Sequence, residues 1–294
     1  MAYRLGMKIA LFGTGKMGSG MAQRWLANGD RVQVWNRTPQ KAKALEAQGA
    51  TAFEDPVAAT KSVDVVHIIL SDDTSVDDLL DRILERLPKG MLVIDHTTVS
   101  PHGTATRAKR CERDGIEFLH APVFMSPQGC RDGAGLMLVC GPAARVARVQ
   151  DHLKAMTGEV WNVGERPDRA AAFKLFGNAM IATIVGGLSD VYTMAKTVDI
   201  SASDARDLFA HFKVTATFDI RGKKMAAGDF SPSFELTMAR KDVGLMLDVA
   251  KRGNAELTIL PAIFARMNEL IDQGYGDKDL GVLAVDAVSL SSRA

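Results

Sequence analysis

Short apolar runs alternate with longer amphipathic stretches through the first 165 residues. Residues 8–12, 32–35, 63–70, 91–94, 117–119 and 136–139 are runs of strand length. The stretches between them carry helix starts. Thr38 followed by Pro39 is an N-cap with proline at the first helical position, and Gly49 closes that helix; Ser100-Pro101 repeats the device. Strands separated by helices predict βαβ units and a mainly parallel sheet, hence an α/β domain.

The pattern changes near residues 166–169, beyond which no run reads as a strand. Residues 170–198 predict one long helix, apolar around most of its circumference, as expected of a buried helix rather than a surface one. Ser201 with Asp204 three residues on starts the next helix as a capping box. Residues 233–252 and 260–273 are also helical in pattern. The chain is therefore expected to divide into residues 1–165 and an all-helical part, 166–294. No fixed-period repeat or low-complexity segment is visible.

Two domains also suit 294 residues at roughly 150 per domain. Hydrophobic residues at 47% and charged residues at 24% exclude a disordered or collagen-like chain. Thirty-six basic against 35 acidic residues give a net charge of +1. With no basic excess to neutralise phosphates, general nucleic-acid binding is not expected. The cysteines, Cys111, Cys130 and Cys140, fit neither a zinc set nor a CxxC pair, which points to a reducing intracellular compartment. Residues 1–8 lack the apolar core of a signal peptide. The apolar stretch 179–188 falls short of the ~20 residues of a membrane span. A soluble cytoplasmic protein is the expectation.

Gly13-Thr14-Gly15-Lys16-Met17-Gly18 follows the first predicted strand and opens a helix expected over 19–27. Gly13 allows the tight turn, Gly15 lets a pyrophosphate approach the backbone, and Gly18 lets helix and strand pack closely. The helix N-terminus adds unpaired N–H groups and partial positive charge. In this context the motif is a dinucleotide-binding fingerprint, against the plainer reading of a glycine turn with no ligand. A P-loop is excluded because no Gly-Lys-Ser/Thr triplet follows. An acidic residue after the second strand would accept from the ribose hydroxyls of NAD and repel the extra phosphate of NADP. Asn36-Arg37-Thr38 stands there instead. The carboxylate is missing and a guanidinium lies beside its place, which favours NADPH/NADP over NADH.

Lys174 lies inside the long apolar helix, and Asn178, four residues on, shares its face. An ammonium in apolar surroundings is costly unless satisfied. Burial lowers a lysine pKa toward the range useful for proton transfer. Hydride transfer to a carbonyl needs a proton donor at the oxygen, and a lysine steadied by an asparagine would serve. On the helix alone, a lysine snorkelling its stem to water remains the alternative. His96 and His120 read as structural hydrogen-bonding residues. No HExxH or other metal-ligand spacing occurs, so no metal is expected.

Four motifs in order carry a resemblance that spans nearly the whole chain. They are Gly13 to Gly18 with Val34-Trp35-Asn36-Arg37-Thr38; Asp95-His96-Thr97-Thr98-Val99-Ser100-Pro101; Ala121-Pro122-Val123 with Gly129 and Gly133; and Lys174 with Asn178, followed by Lys241-Asp242-Val243-Gly244-Leu245. The chain resembles the β-hydroxyacid dehydrogenase family, which includes 3-hydroxyisobutyrate dehydrogenases and glyoxylate or succinic semialdehyde reductases. The resemblance implies an α/β Rossmann-like, mainly parallel sheet domain, then an all-helical domain joined to it by the long helix. Homodimers or homotetramers, packed through the helical domains, are usual in the family. It places the catalytic lysine on Lys174, its orienting asparagine on Asn178, and a second lysine, near the nicotinamide, on Lys241. The expected coenzyme set is Gly13, Thr14, Gly15, Lys16, Met17, Gly18, Asn36, Arg37, Thr38, Leu70, Ser71, Thr98 and Lys241. The expected substrate set is Thr97, Phe124, Met125, Ser126, Lys174 and Asp242.

Two departures stand out. The family usually has proline where Ser71 stands. After Ala121-Pro122-Val123 it typically shows Ser-Gly-Gly, whose hydroxyl and bare backbone bind the substrate carboxylate; this chain has Phe124-Met125-Ser126-Pro127-Gln128. A less polar pocket is expected, with Ser126 and Gln128 restoring some polar contacts, unless Phe124 and Met125 turn into the core. The implied activity is NADPH-dependent reduction of a carbonyl acid or semialdehyde, reversible toward the hydroxy acid. Lys174 would serve as general acid and base, with substrate between Thr97, Phe124 and Ser126 on one side and Lys174 and Lys241 on the other. Two rivals stay open. One is an imine reductase or reductive aminase, which usually lacks a lysine at the Lys174 position. The other is a non-enzymatic NADPH-binding module, which would need only the glycine turn.

Overall fold

A computed structural model describes residues 6–289; residues 1–5 of the expected polar lead lie outside them. Strands β1 (Lys8–Phe12), β2 (Arg31–Trp35), β3 (Thr51–Phe53), β4 (Val65–Ile68), β5 (Leu92–Asp95) and β6 (Glu117–His120) form one sheet, in the order β3-β2-β1-β4-β5-β6. Every pairing in it is parallel. Helices α1 (Lys16–Ala27), α2 (Pro39–Lys43), α3 (Pro56–Ala59), α4 (Asp73–Ile83) and α5 (Pro101–Arg113) make the crossovers. A smaller sheet joins β7 (Val123–Phe124), β8 (Gly135–Val139) and β9 (Gly158–Asn162), with β7 antiparallel and β9 parallel to β8. Helices α6 (Pro127–Asp132) and α7 (Ala143–Thr157) lie between these strands in the chain.

Successive side chains of a strand point to opposite faces, and here both faces are covered. Ile9 and Leu11 of β1 pack with Trp25 of α1 and Leu153 of α7. Ala10 and Phe12 pack with Leu79, Leu80 and Ile83 of α4. Burial on both faces is why these strands read as unbroken apolar runs. Strands β3, β7 and β9 were not anticipated: β3 and β7 have three residues and two, and most of β9 is exposed at its sheet's edge. Ser100 caps α5, its Oγ accepting the Gly103 N–H at 3.0 Å. Thr38 holds the N-cap position of α2 without a side-chain bond. Gly49 ends that segment in the left-handed region, with φ of 98°.

The rest is helical: α8 (Arg169–Thr197), α9 (Ala202–His211), α10 (Lys223–Ala226), α11 (Leu236–Arg252), α12 (Leu260–Leu270) and α13 (Val285–Ser289). Among the described residues it contributes no strand. The chain forms two compact units that divide inside α8, between Asn178 and Ala179. Residue 165, the expected end of the first domain, lies just past the last strand. The division by packing falls later because the first turns of α8 join the sheet unit. Ala170 is buried with Leu138, Cys140 and Val163, and Phe173 packs against them. The second unit has its own core of Leu236, Ala239, Val243, Met267, Leu270 and Val282. Two buried carboxylates pin its loops. Asp190 of α8 accepts the Ile259 and Leu260 N–H groups at the start of α12. Asp279 accepts from Ser233, Phe234 and Gly281. Burial would raise the Asp279 carboxyl, but the Arg221 guanidinium at 2.8 Å and these donors hold it well below the usual range.

The expectation that α8 is buried all round is corrected. Phe176, Ile181 and Val185 are 65%, 54% and 61% exposed. The helix is also long and apolar enough, by length and composition, to cross a membrane, with 6% of its apolar window buried. The apolar stretch is therefore longer than residues 179–188. A helix apolar on every side needs cover on every side, and this chain's own elements bury Ala170, Ala171, Asp190 and Ala195 while leaving much of the rest open.

Candidate active site

The order of the large sheet reverses between β1 and β4, and ligands of such sheets bind at the carboxyl ends of the strands flanking that switch. Gly13 follows β1 with φ of +103° and donates its N–H to Trp35 O at 3.0 Å. A Cβ there would lie 2.0 Å from Ile69 O, and one at Gly18 would lie 2.0 Å from Gly13 O. The first and third glycines are therefore required by packing. At Gly15 a Cβ would meet nothing within 4 Å, so this middle glycine opens outward. It is also the N-cap of α1 and offers no side-chain cap, which leaves the helix N–H groups for an anion. Thr14 Oγ1 is buried with no protein partner, a polar atom that calls for one.

A cavity of about 600 Å³ opens over this turn. Gly13, Gly15, Lys16, Met17, Gly18, Asn36, Arg37, Thr38, Leu70 and Ser71 line it. Thr14 is buried in the turn, and Thr98 is exposed in the loop after β5. The lining adds two cations that the motifs did not indicate, Lys41 and Arg82. Lys41 was within reach of sequence reasoning, since it stands on the first turn of the helix that Thr38 starts. Arg82 lies 5.4 Å over the Trp35 ring. With Lys16 and Arg37 these face one lining carboxylate, Asp78. Asn36 also braces the turn, since its Oδ1 accepts the Thr14 N–H and its Nδ2 donates to Thr38 O, both at 3.1 Å. Thr97 Oγ1 accepts the Leu70 N–H at 3.0 Å, tying the loop after β5 to the loop after β4. Ser71 donates to Asp72 Oδ2 at 2.7 Å.

Lys174 and Asn178 lie one turn apart on the part of α8 that packs with the sheet unit. No hydrogen bond joins them among the described residues. The Lys174 ammonium instead sits 3.9 Å from the centroid of the Phe124 ring. The side chain is half-buried, and burial draws its pKa below the ordinary lysine value. Phe124 and Met125 part ways. Met125 packs onto the main core, while Phe124 reaches the small cluster around Ala170 and turns its face to the ammonium. Ser126 Oγ accepts the Gly129 N–H at 3.0 Å as the N-cap of α6. Gln128 bridges Asp132 and Arg131. Lys241 and Asp242 belong to α11 of the second unit, where they pair with each other at 2.9 Å.

Sequence reasoning missed a ladder of buried histidines behind this site. His96 Nδ1 lies 2.6 Å from Ala121 O and His96 Nε2 lies 2.8 Å from His67 Nδ1. His67 Nε2 lies 3.0 Å from His152 Nε2. A carbonyl can only accept, so His96 carries its proton on Nδ1. It follows that His67 donates from Nδ1, and His152 from Nε2 to His67. All three rings are then neutral. Burial holds His96 and His152 at about 4 and His67 well below its usual value. The signal was His67 inside the otherwise apolar run Val65-Val66-His67-Ile68. His120 is buried 3.7 Å from Asp95 Oδ2. Among the described residues no group of three or more His, Cys, Asp or Glu side chains is arranged to hold a metal ion.

A switch-point cleft with this glycine turn and cation set, on the same unit as a half-buried lysine, defines a dinucleotide-dependent oxidoreductase. Residues 8–164 match the family described as the NAD binding domain of 6-phosphogluconate dehydrogenase. Residues 169–284 match that described as the NAD-binding of NADP-dependent 3-hydroxyisobutyrate dehydrogenase. The chain is 30% identical over 281 residues to the uncharacterized oxidoreductase YfjR of Bacillus subtilis (strain 168), covering 94% of this chain and 98% of that one. It is 27% identical to the 3-sulfolactaldehyde reductase of Escherichia coli (strain K12), over 83% of each. Among solved structures, the imine reductase from Myxococcus stipitatus in complex with NADP+ superposes with a TM-score of 0.87. That match covers 94% of this chain and 98% of the other at 20% identity, a likeness of fold. The chain belongs to the β-hydroxyacid dehydrogenase family, and is an NAD(P)-dependent oxidoreductase.

Proposed function

We propose that the protein is an NADPH-dependent reductase of a carbonyl acid or semialdehyde, reversible toward the hydroxy acid, with Lys174 as general acid and base. The observation that carries this is the Lys174 ammonium, half-buried on the first turns of α8 with its pKa drawn down by burial. The cleft residues fit the coenzyme. The open Gly15 turn and the α1 N-terminus suit a pyrophosphate, and Arg37 with Lys41 suits the further phosphate of NADPH. The bound coenzyme supplies the hydride. Protonated Lys174 polarises the carbonyl oxygen and gives it a proton; neutral Lys174 takes the hydroxyl proton in the reverse direction. Asn178, one turn on along the same helix face, is the residue expected to hold the lysine. Initial rates with NADPH and NADH across a panel of oxo acids and semialdehydes test the reading. A clear NADH preference, or full turnover by Lys174→Ala, would refute it.

The apolar Phe124-Met125 turn also suits a less polar substrate, so a cyclic imine belongs in the panel. Turnover of the imine above every carbonyl would favour imine reduction. For assembly, the reading is a homodimer in which a second copy covers the exposed Phe176, Ile181, Ile184 and Val185 face of α8. Three buried free thiols accord with a reducing, cytoplasmic setting.

A further inference from the structure

The turn after Pro122 shows how the site treats the atoms next to the reacting carbon. The backbone of Val123 and Phe124 pairs with β8, opposite Met137 and Leu136. The side chains of Ser126 and Gln128, beyond Phe124 in that turn, bond to neighbours within it. What faces Lys174 is the Phe124 ring. Its seat is cut into the helix: a Cβ on Gly177 would lie 2.3 Å from Phe124 Cζ and 2.7 Å from Cε1. Only a bare backbone at 177 lets the ring lie there. No salt bridge involves Lys174 among the described residues, so the ring face, with its negative quadrupole, is the ammonium's close neighbour.

We propose that Phe124, seated on Gly177, positions Lys174 and is a specificity-determining residue. It selects carbonyl substrates in which a hydrocarbon segment, rather than a carboxylate, adjoins the reacting carbon. The inference rests on Lys174 acting in carbonyl reduction. A carboxylate laid against the ring would face the negative π cloud and lose water there. Methylene groups there would gain contact area. Semialdehydes with a distant carboxylate, and plain aldehydes, therefore fit, and glyoxylate does not.

The test compares the wild type with Phe124→Leu, Phe124→Ser and Gly177→Ala. The last favours the helix by propensity while displacing the ring. The first readout needs no turnover: the pKa of Lys174, by competitive acetylation across pH with mass spectrometry. Leucine keeps the burial and removes the ring face, so the pKa falls. Serine admits water, so it rises. Unchanged values in both variants would overturn the positioning role. The second readout is kcat/KM with NADPH for glyoxylate, butanal and succinic semialdehyde. Wild type is expected to favour the latter two over glyoxylate by about tenfold or more, and Phe124→Ser and Gly177→Ala to narrow that ratio about tenfold. A ratio that stays put in both variants, or a wild type that prefers glyoxylate, overturns the selectivity. Absence of turnover with every carbonyl overturns the underlying reduction, and this inference with it.

Discussion

Acid should weaken the sheet unit through the histidine ladder before any carboxylate is involved. His96 and His152 titrate near 4 in the folded chain and near 6.5 once unfolded. The folded rings therefore refuse protons that the unfolded rings accept. Their stabilisation is complete above about pH 6.5 and is lost as the pH falls toward 4. Each ring contributes about 3 kcal/mol across that window, with a slope near 1.4 kcal/mol per pH unit at most. Coupling through His67 makes the pair's total smaller than twice one ring. Asp95 opposes the shift of His96, and His120 adds to it. Carboxylates held low, such as Asp279, lose their stabilisation below this window. Trp25 lies 4.7 Å from the His67 ring and 6.1 Å from that of His152, so its fluorescence reports the region directly. Urea unfolding followed by that fluorescence from pH 7 to 4.5 should show stability falling throughout. His152→Gln keeps a donor toward His67 but does not titrate, so its stability should fall less steeply, by up to about 1.4 kcal/mol per pH unit. Equal slopes in the two proteins would refute the ladder as the source.

Other outcomes follow from the site. Lys174→Ala should lower kcat for carbonyl reduction about 10²–10⁴-fold while NADPH affinity, by fluorescence titration, stays within about twofold. Because only protonated Lys174 donates, kcat/KM for reduction should fall as pH rises through a limb below the usual lysine range, and Lys174→Ala should lack that limb. Arg37→Ser with Lys41→Ala should weaken NADPH binding by about 10- to 150-fold, as for loss of hydrogen bonds to a charged group. NADH binding should change little, and equal losses for both nucleotides would contradict the phosphate assignment. Ile184→Glu should convert a dimer to monomer in analytical ultracentrifugation. A wild type that is already monomeric, or that partitions into membranes, would refute the second-copy reading of α8.

The large sheet was legible because its strands are buried on both faces, which leaves continuous apolar runs between turn residues. The glycine turn was legible because Gly13 and Gly18 meet backbone atoms at distances that no side chain permits, and such constraints mark the sequence directly. Edge strands were not legible: β3 and β9 are half-buried or exposed, and so carry no run. The long helix shows a deeper limit. An apolar circumference says that a helix needs cover but not whose atoms supply it, and the same composition serves a core helix, a membrane span or a subunit face.

The site divides along a similar line. The glycine turn could be read from spacing, because its backbone geometry dictates the residue types. Groups that act through side-chain packing could not. Asn178 shares a helix face with Lys174 by simple periodicity, yet the ammonium's neighbour comes from β7, fifty residues earlier in the chain. Phe124 and Met125 are adjacent and both apolar, so sequence offers them one fate. In the structure Val123 and Met125 pack into the core, while Phe124, the last residue of β7 and between them in the chain, turns to the lysine. The two-residue strand that enforces this split is fixed by pairing with β8, a long-range contact that no local pattern records. The side chain set against the Lys174 ammonium is thus decided by sheet register.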